Sequence, residues 1–335
     1  MAVRVAINGF GRIGRLVLRS IIEHDRKDIE VVSINDLGPV ATNAHLLQYD
    51  SVHGKLPVDV SVDGDKIIAG DRTFLCTAVR DPKELPHKEM DVDVALECTG
   101  IFTDKDKAAA HLEAGAQRVL VSAPAKGADK TIVFGVNHDT LTKDDLIVSN
   151  ASCTTNCLSP VAKVLNDAIG IERGYMTTVH AYTGDQPTLD RLHKDLYRAR
   201  AAAHSMIPTS TGAAKAVGLV LPELAGKLNG SAVRVPTPNV SMIDLVFDAA
   251  KATSVDEIND AVKTAADGPM TGVLAYVDAP LVSADFNHNP ASSTFALDQT
   301  TVTDETMVRV LSWYDNEWGF ATRMSDTAVA MGKLI

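Results

Sequence analysis

The sequence predicts an α/β protein of two domains, a parallel-sheet domain followed by an α+β domain with a mixed or antiparallel sheet. Three observations predict it. The chain has 335 residues, more than one core comfortably organises, so two interiors are expected. Short apolar runs alternate with helical patterns as far as Ser149, the mark of βαβ units. Beyond Cys153 the apolar runs lengthen and fewer helices separate them.

Taken in order, "VRVAIN" (Val3 to Asn8) reads as a strand, and "GRIGRLVLRSIIEH" as a helix with Ile13, Leu16, Val17 and Ile21 on one face. "IEVVSIND" is the second strand. "VDVSVDGDKIIAG" has Asp-Gly between alternating runs and predicts a hairpin. The alternation resumes with the strand "DVDVALECTG", the helix "DKDKAAAHLEAGA" and the strands "RVLVSA", "TIVFGVN" and "DLIVSNAS". "CTTNCLSPVAKVLNDAIG" carries Leu158, Val161, Val164, Leu165 and Ile169 at helical spacing, which puts Cys153 at a helix start. The second domain is then built on "RGYMTTVHAYT", "SAVRVPTPNVSMIDLVFDAA", "GVLAYVDAPL" and "MVRVLSWYDN". Between Ala181 and Pro208 lies a polar, basic stretch without strand periodicity, and loops of that length are usually functional or interfacial. The closing "ATRMSDTAVAMGKLI" reads as a helix that returns to the first domain.

Hydrophobic residues make up 45% of the chain and charged ones 22%, the composition of a folded, enzyme-sized protein. No apolar run is long enough for a membrane span, and no charged, apolar, small-residue leader opens the chain, so the expected compartment is the cytoplasm. There the four cysteines, at 76, 98, 153 and 157, are expected to stay thiols. With 43 acidic against 32 basic residues the net charge of −11 repels nucleic acid and anionic membranes, and small molecules are the expected partners.

Gly9, Gly11 and Gly14 in "INGFGRIG" form G-x-G-x-x-G directly between a strand and a helix. Glycines there allow a tight turn and close backbone approach to a pyrophosphate at the helix N-terminus. Asp36 ends the second strand 22 residues after Gly14, where a carboxylate accepts hydrogen bonds from an adenosine ribose and repels a 2′-phosphate. The motif names a dinucleotide, not yet a chemistry.

A cysteine at a helix start gains from the dipole and the free N–H groups, so a lowered pKa is expected for Cys153. Cys157 lies one turn further in, away from those donors. A metal site would need two more soft ligands at matching spacing, which no second Cys or His pair supplies, and no metal is expected. Cys76 and Cys98 fall in strand-like runs and read as packing residues. Among ten histidines, His180 is the best placed as a base, on a strand alternating with Thr178 and Tyr182, 27 residues after Cys153. A dinucleotide motif, a helix-start cysteine and a strand histidine together suggest covalent capture of an aldehyde followed by hydride transfer.

With "INGFGRIGR", "YDSVHG", "VSAPAK", "SNASCTTNCL", "HAYTGDQ", "HKDLYRARAAA", "IPTSTGAAKAVG", "VRVPTPNVS" and "WYDNEWGF", the whole chain resembles the phosphorylating glyceraldehyde-3-phosphate dehydrogenases of bacterial type. "ASCTTNC" is highly specific to that family and its nearest relatives. The resemblance implies a Rossmann NAD-binding domain at 1–151 that regains a C-terminal helix at 316–335, a catalytic domain at 152–315, and a homotetramer. It implies NAD as cofactor, with glyceraldehyde 3-phosphate and inorganic phosphate as substrates. Cys153 would attack the aldehyde, His180 would act as base, and phosphate would release the thioester as an acyl phosphate. Matching positions for one anion are Ser152, Thr154, Arg198, Thr211 and Gly212. For the other they are Thr183 and Arg234, with help from the loop of Asp185. On the cofactor side the resemblance adds Arg12, Ile13, Arg80, Ser122 and Asn316, the last for the nicotinamide carboxamide.

Two positions depart from the family pattern. Arg191-Leu192 stands where NAD-using members usually have Leu-Pro before the His193-Lys-Asp run, and Arg191 leaves NADP use open beside NAD. Phe320 replaces a common Tyr. Two other readings stand beside the main one: an erythrose-4-phosphate dehydrogenase, against which the full set of phosphate positions counts, and a non-catalytic NAD-binding sensor, which has no need of Cys153, His180 and two anion sites.

Overall fold

The structure, a computed structural model, describes residues 2–335. Contacts divide the chain into two compact units, one of residues up to Phe134, His138–Ala151 and Ala321–Ile335, the other of Gly135–Asn137 and Ser152–Phe320.

The first unit contains β1 (Val3–Asn8), α1 (Arg12–Glu23), β2 (Ile29–Asn35), α2 (Val40–Gln48), the short pair β3 (Tyr49–Asp50) and β4 (Gly54–Lys55), β5 (Val60–Asp63), β6 (Lys66–Ala69), β7 (Arg72–Thr77), β8 (Val94–Glu97), α3 (Lys105–Ala108), α4 (Ala110–Glu113), β9 (Arg118–Val121), β10 (Lys130–Thr131) and β11 (Ile147–Ser149). Its nine-stranded sheet runs β10-β11-β9-β8-β1-β2-β7-β6-β5. From β10 to β7 every pair is parallel, and β5 and β6 add the antiparallel hairpin. The chain winds outward from β1 to β2 and β7, then returns to β8 on the other side of β1, the doubly wound Rossmann arrangement. Strands β8 and β9 are buried at every residue, as parallel strands covered on both faces must be.

The second unit contains α5 (Cys153–Ile169), β12 (Ile171–Ala181), β13 (Ile207–Ser210), α6 (Ala213–Val220), β14 (Leu228–Val235), β15 (Ser241–Ala249), α7 (Val255–Ala266), β16 (Leu274–Val277), β17 (Ser293–Ala296), β18 (Thr301–Thr303) and β19 (Met307–Tyr314). The sheet order is β13-β14-β12-β15-β19-β17-β16, with β18 on β19. It is mixed: β12 runs parallel to β14 and antiparallel to β15. Burial alternates strictly along β15, so one face of the sheet carries the core. The long connection from Tyr182 to Met206 has neither helix nor strand.

Three expectations need correcting. The final helix, α8, spans Trp318–Gly332, and the contact division falls inside it, after Phe320, rather than at 316. Of "TIVFGVN" only Thr131, the last residue of β10, is strand, because the chain leaves the ladder for the second unit: Gly135, at φ +83°, sits so close to Val273 that a Cβ would lie 2.7 Å from its side chain. "DKDKAAAHLEAGA" forms two short helices that break at Ala109.

Candidate active site

In the first unit the glycine motif lies where the chain leaves β1. Gly9 has φ +91°, and a Cβ there would stand 2.7 Å from the Thr99 nitrogen. A Cβ on Gly14 would stand 2.1 Å from the Gly9 carbonyl oxygen. Protein packing thus requires both. Gly11 is different: as N-cap of α1 its φ is −71°, and nothing lies within 4 Å of a Cβ built on it. Neither conformation nor neighbours demand glycine there, which fits close approach of a pyrophosphate. Asp36, just past β2, accepts the Phe10 N–H at 2.9 Å and the Gly38 N–H at 2.8 Å, tying the glycine loop to the next strand end. Arg12 pairs with Asp50 at 2.5 Å. Ile13 lies half-buried on the first turn of α1, Ser122 follows β9 with its N–H on the Glu97 carbonyl at 2.9 Å, and Arg80 is exposed beyond β7. These residues all lie past the carboxyl ends of the parallel strands, where the sheet reverses direction, the edge that binds ligands in open α/β sheets.

In the second unit Cys153 is the first residue of α5. Ser152 caps the helix, its hydroxyl accepting the Thr155 N–H at 3.1 Å. Ala151, just before, has φ +57°, a left-handed turn that a non-glycine residue adopts at a cost of roughly 1–2 kcal/mol. The Cys153 sulfur lies 3.5 Å from Nε2 of His180. His180, on β12, is 3% exposed. Its Nδ1 lies 2.7 Å from the Ala181 carbonyl and 3.1 Å from Arg234 Nη1, and the tautomer that donates Nδ1–H to the shorter of these contacts leaves Nε2 as a lone pair facing the thiol. Arg234 is the register partner of His180 on parallel β14. Its Nη1 donates to the Ala181 carbonyl at 2.9 Å and to Thr183 Oγ1 at 3.4 Å, and its Nε is buried without a hydrogen-bond partner.

Burial pushes the Cys153 thiol up, and the Arg234 charge is the strongest influence in the other direction. Burial and the Arg234 charge push His180 down to about 3. Both shifts disfavour the charged forms, and for Cys153 the direction is opposite to the lowering expected from the helix start alone, because desolvation outweighs the helix end. Cys157, one turn on, is pushed up to about 12 by burial and contacts the Ser293 hydroxyl at 3.2 Å. Cys98 is pushed up to about 12 and Cys76 to about 11, again by burial.

The predicted anion-binding residues fall into two groups. Thr211 and Gly212 stand at the N-terminus of α6, and the Thr155 hydroxyl reaches the Ala213 carbonyl at 3.4 Å, which brings that helix start beside the start of α5. Arg198 joins this group through Thr209 Oγ1 at 3.1 Å and is held by Asp185 at 3.0 Å and Asp195 at 3.7 Å. Thr183 and Arg234 form the second group, beside His180. Thr154 also belongs to a buried hydroxyl chain. The Thr178 hydroxyl donates to the Met242 carbonyl at 3.0 Å, so it accepts from Tyr314 at 2.9 Å, and Tyr314 in turn accepts from Thr154 at 2.9 Å. Both the Thr154 hydroxyl and its backbone N–H also face the Cys153 sulfur. Tyr314, edge-on to His180 at 5.9 Å, carries no sequence signal that would have found it. Asn316 is held by Ser241, whose hydroxyl donates to its Oδ1 at 2.8 Å. Arg191 is exposed on the 182–206 connection, and Phe320 is buried.

Among the described residues no group of three or more His, Cys, Asp or Glu side chains is arranged to hold a metal, and no helix is long and apolar enough to cross a membrane.

Comparison with known proteins gives concordant matches. Residues 3–105 match the family model described as glyceraldehyde 3-phosphate dehydrogenase, NAD binding domain, and residues 152–316 match the C-terminal domain of the same family. Similar curated proteins, each named glyceraldehyde-3-phosphate dehydrogenase, include those of Xanthobacter flavus, 73% identical over 100% of both chains, and Cereibacter sphaeroides, 69% identical over 100% of both. That of Geobacillus stearothermophilus is 57% identical over 98% of each chain.

Proposed function

The chain belongs to the glyceraldehyde 3-phosphate dehydrogenase family, and from that premise we propose that it oxidises glyceraldehyde 3-phosphate and transfers the acyl group to inorganic phosphate, giving 1,3-bisphosphoglycerate. The observation that carries the residue assignment is the bare Nε2 of His180, 3.5 Å from the Cys153 sulfur. NAD, when bound, supplies the hydride acceptor. Gly9, Gly11, Arg12, Ile13, Gly14, Asp36, Arg80 and Ser122 are the residues we assign to holding it, with Asn316 for its carboxamide.

His180 takes the thiol proton as Cys153 adds to the aldehyde. Arg234 favours the thiolate by its charge. The N–H groups left free at the start of α5 stabilise the oxyanion, since Ser152 has already taken that of Thr155. His180 returns that proton to the oxyanion, giving the hemithioacetal hydroxyl, and takes it back as the carbon gives up its hydride and becomes a thioester on Cys153. Arg234 and Thr183 hold one phosphate; Ser152, Arg198, Thr211, Gly212 and the Thr154 N–H hold the other. The reaction serves glycolysis or, in reverse, gluconeogenesis.

We further assign the protein to a cytoplasmic homotetramer. Four free thiols suit a reducing compartment. The fully exposed Leu192, with Leu189, Leu196 and Met206, puts apolar surface on the 182–206 connection that a neighbouring subunit would cover.

The deciding experiment is steady-state kinetics with glyceraldehyde 3-phosphate and erythrose 4-phosphate, with NAD or NADP, with and without phosphate or arsenate. We expect fast NADH formation from glyceraldehyde 3-phosphate only with phosphate or arsenate present. Rapid oxidation with water as acceptor would overturn the reading.

A further inference from the structure

Ser241 opens β15 and is 1% exposed. Its oxygen accepts the Ala181 N–H at 3.0 Å, and its single proton goes to Asn316 Oδ1 at 2.8 Å. Ala181 is also the residue whose carbonyl holds Nδ1–H of His180. One buried hydroxyl thus joins the strand of the base to the side chain of Asn316.

The direction of these bonds matters. Were the Asn316 amide turned over, its NH2 would face the Ser241 oxygen and the serine proton would be buried without that acceptor. Leaving a buried donor unmatched disfavours that rotamer by roughly tenfold or more. The backbone is fixed as well: Asp315, 1% exposed, accepts Asn239 Nδ2 at 2.8 Å, His288 N–H at 2.7 Å, Glu317 N–H at 2.9 Å and Trp318 N–H at 2.7 Å. Val240, immediately before Ser241, is held at φ +68°, a strained conformation for a β-branched residue that persists only where its surroundings over-determine it.

We propose that Ser241 is a positioning residue that sets the polarity of Asn316, so that the cofactor ring substituent is met by an N–H donor and never by the amide oxygen. The proposal rests on the reading that Asn316 faces the nicotinamide carboxamide. It makes the carbonyl oxygen of that group, not its NH2, the atom recognised by Asn316.

The test is calorimetric binding of NAD, 3-acetylpyridine adenine dinucleotide and ADP-ribose to the assembled, cofactor-stripped protein and to its Ser241→Ala, Ser241→Thr and Asn316→Ala variants. The acetyl ligand offers only a carbonyl, whereas the carboxamide of NAD pairs with either end of a freed amide. Ser241→Ala is therefore expected to weaken the acetyl ligand by about tenfold, NAD by less, and ADP-ribose not at all. Ser241→Thr keeps the hydroxyl and is expected to restore the original order. Equal weakening of all three ligands by Ser241→Ala would reduce Ser241 to a structural role and overturn the proposal, as would no change in any. If Asn316→Ala leaves the preference for NAD over ADP-ribose untouched, the underlying assignment of Asn316 fails instead.

Discussion

Nε2 of His180 stands 3.5 Å from the Cys153 sulfur while Nδ1 of the same ring faces the Ala181 carbonyl at 2.7 Å, and the tautomer that donates to that carbonyl is the one whose Nε2 accepts a proton. The Cys157 sulfur meets the hydroxyls of Ser293, 3.2 Å away, and Ser312, and no base among its hydrogen-bond partners. Cys153→Ser is expected to lower kcat by roughly 10³-fold or more, whereas Cys157→Ser keeps most of the activity. His180→Asn is expected to cost roughly 10²-fold and to slow iodoacetamide labelling of Cys153. Labelling rates and kcat across the three variants check this, and a dead Cys157→Ser beside an active Cys153→Ser would reverse the assignment.

Asp36 has two tasks. On the proposed cofactor assignment its carboxylate opposes a 2′-phosphate, and in the structure it accepts the Phe10 and Gly38 N–H groups. Asp36→Ala is therefore expected to raise the ratio of kcat/KM for NADP to that for NAD while weakening NAD itself, because the glycine loop loses its anchor. Arg191→Leu is expected to lower the same ratio without the loss in NAD affinity. A ratio unmoved by either change would mean that neither side chain faces the adenosine ribose.

Local pattern made much of this legible. Strand periodicity put Thr178 and His180 on one face, and helical periodicity put Cys153 at a helix start. What the sequence could not display is pairing between distant segments. Arg234 lies beside His180 only because β14 runs parallel to β12 in that register, across 54 positions of chain. The same holds for Tyr314, which meets the Thr154 hydroxyl across 160 positions. The expected thiol shift failed for a related reason: a helix end is visible in one segment, while burial is a property of everything packed around it.

A pair of histidines in the first unit predicts that unit's acid sensitivity. His87, 2% exposed, has Nε2 3.0 Å from Nδ1 of His111, whose Nε2 meets Glu97 at 2.9 Å. Burial and the neighbouring His111 push His87 from 6.5 down to about 4. A folded value below the unfolded one means the unfolded chain takes up the proton first. Stability is thus full above pH 6.5 and lost as pH falls towards 4. At a pH about two units below the ordinary value the loss from this ring is about 2–3 kcal/mol. Urea unfolding at pH about 7.5 and about 4.5, at fixed protein concentration, is expected to show a smaller pH difference in His87→Gln than in the parent. Equal differences would remove His87 from the acid response.

Arg234 separates anion recognition from support of the base. Its Nη1 braces the Ala181 carbonyl, while its buried Nε has no partner, so removal of the side chain affects both the His180 strand and any phosphate at Thr183. The two effects part company when substrates with and without a phosphate are compared. A charge-assisted hydrogen bond contributes roughly 1.5–3 kcal/mol, so Arg234→Leu is expected to lower kcat/KM for glyceraldehyde 3-phosphate roughly 10- to 100-fold more than for unphosphorylated glyceraldehyde. Arg234→Lys keeps the charge but not the fork, and is expected to recover part of that difference and none of the brace on Ala181. Equal losses for the two substrates in Arg234→Leu would mean that the guanidinium serves His180 alone and that the substrate phosphate binds elsewhere.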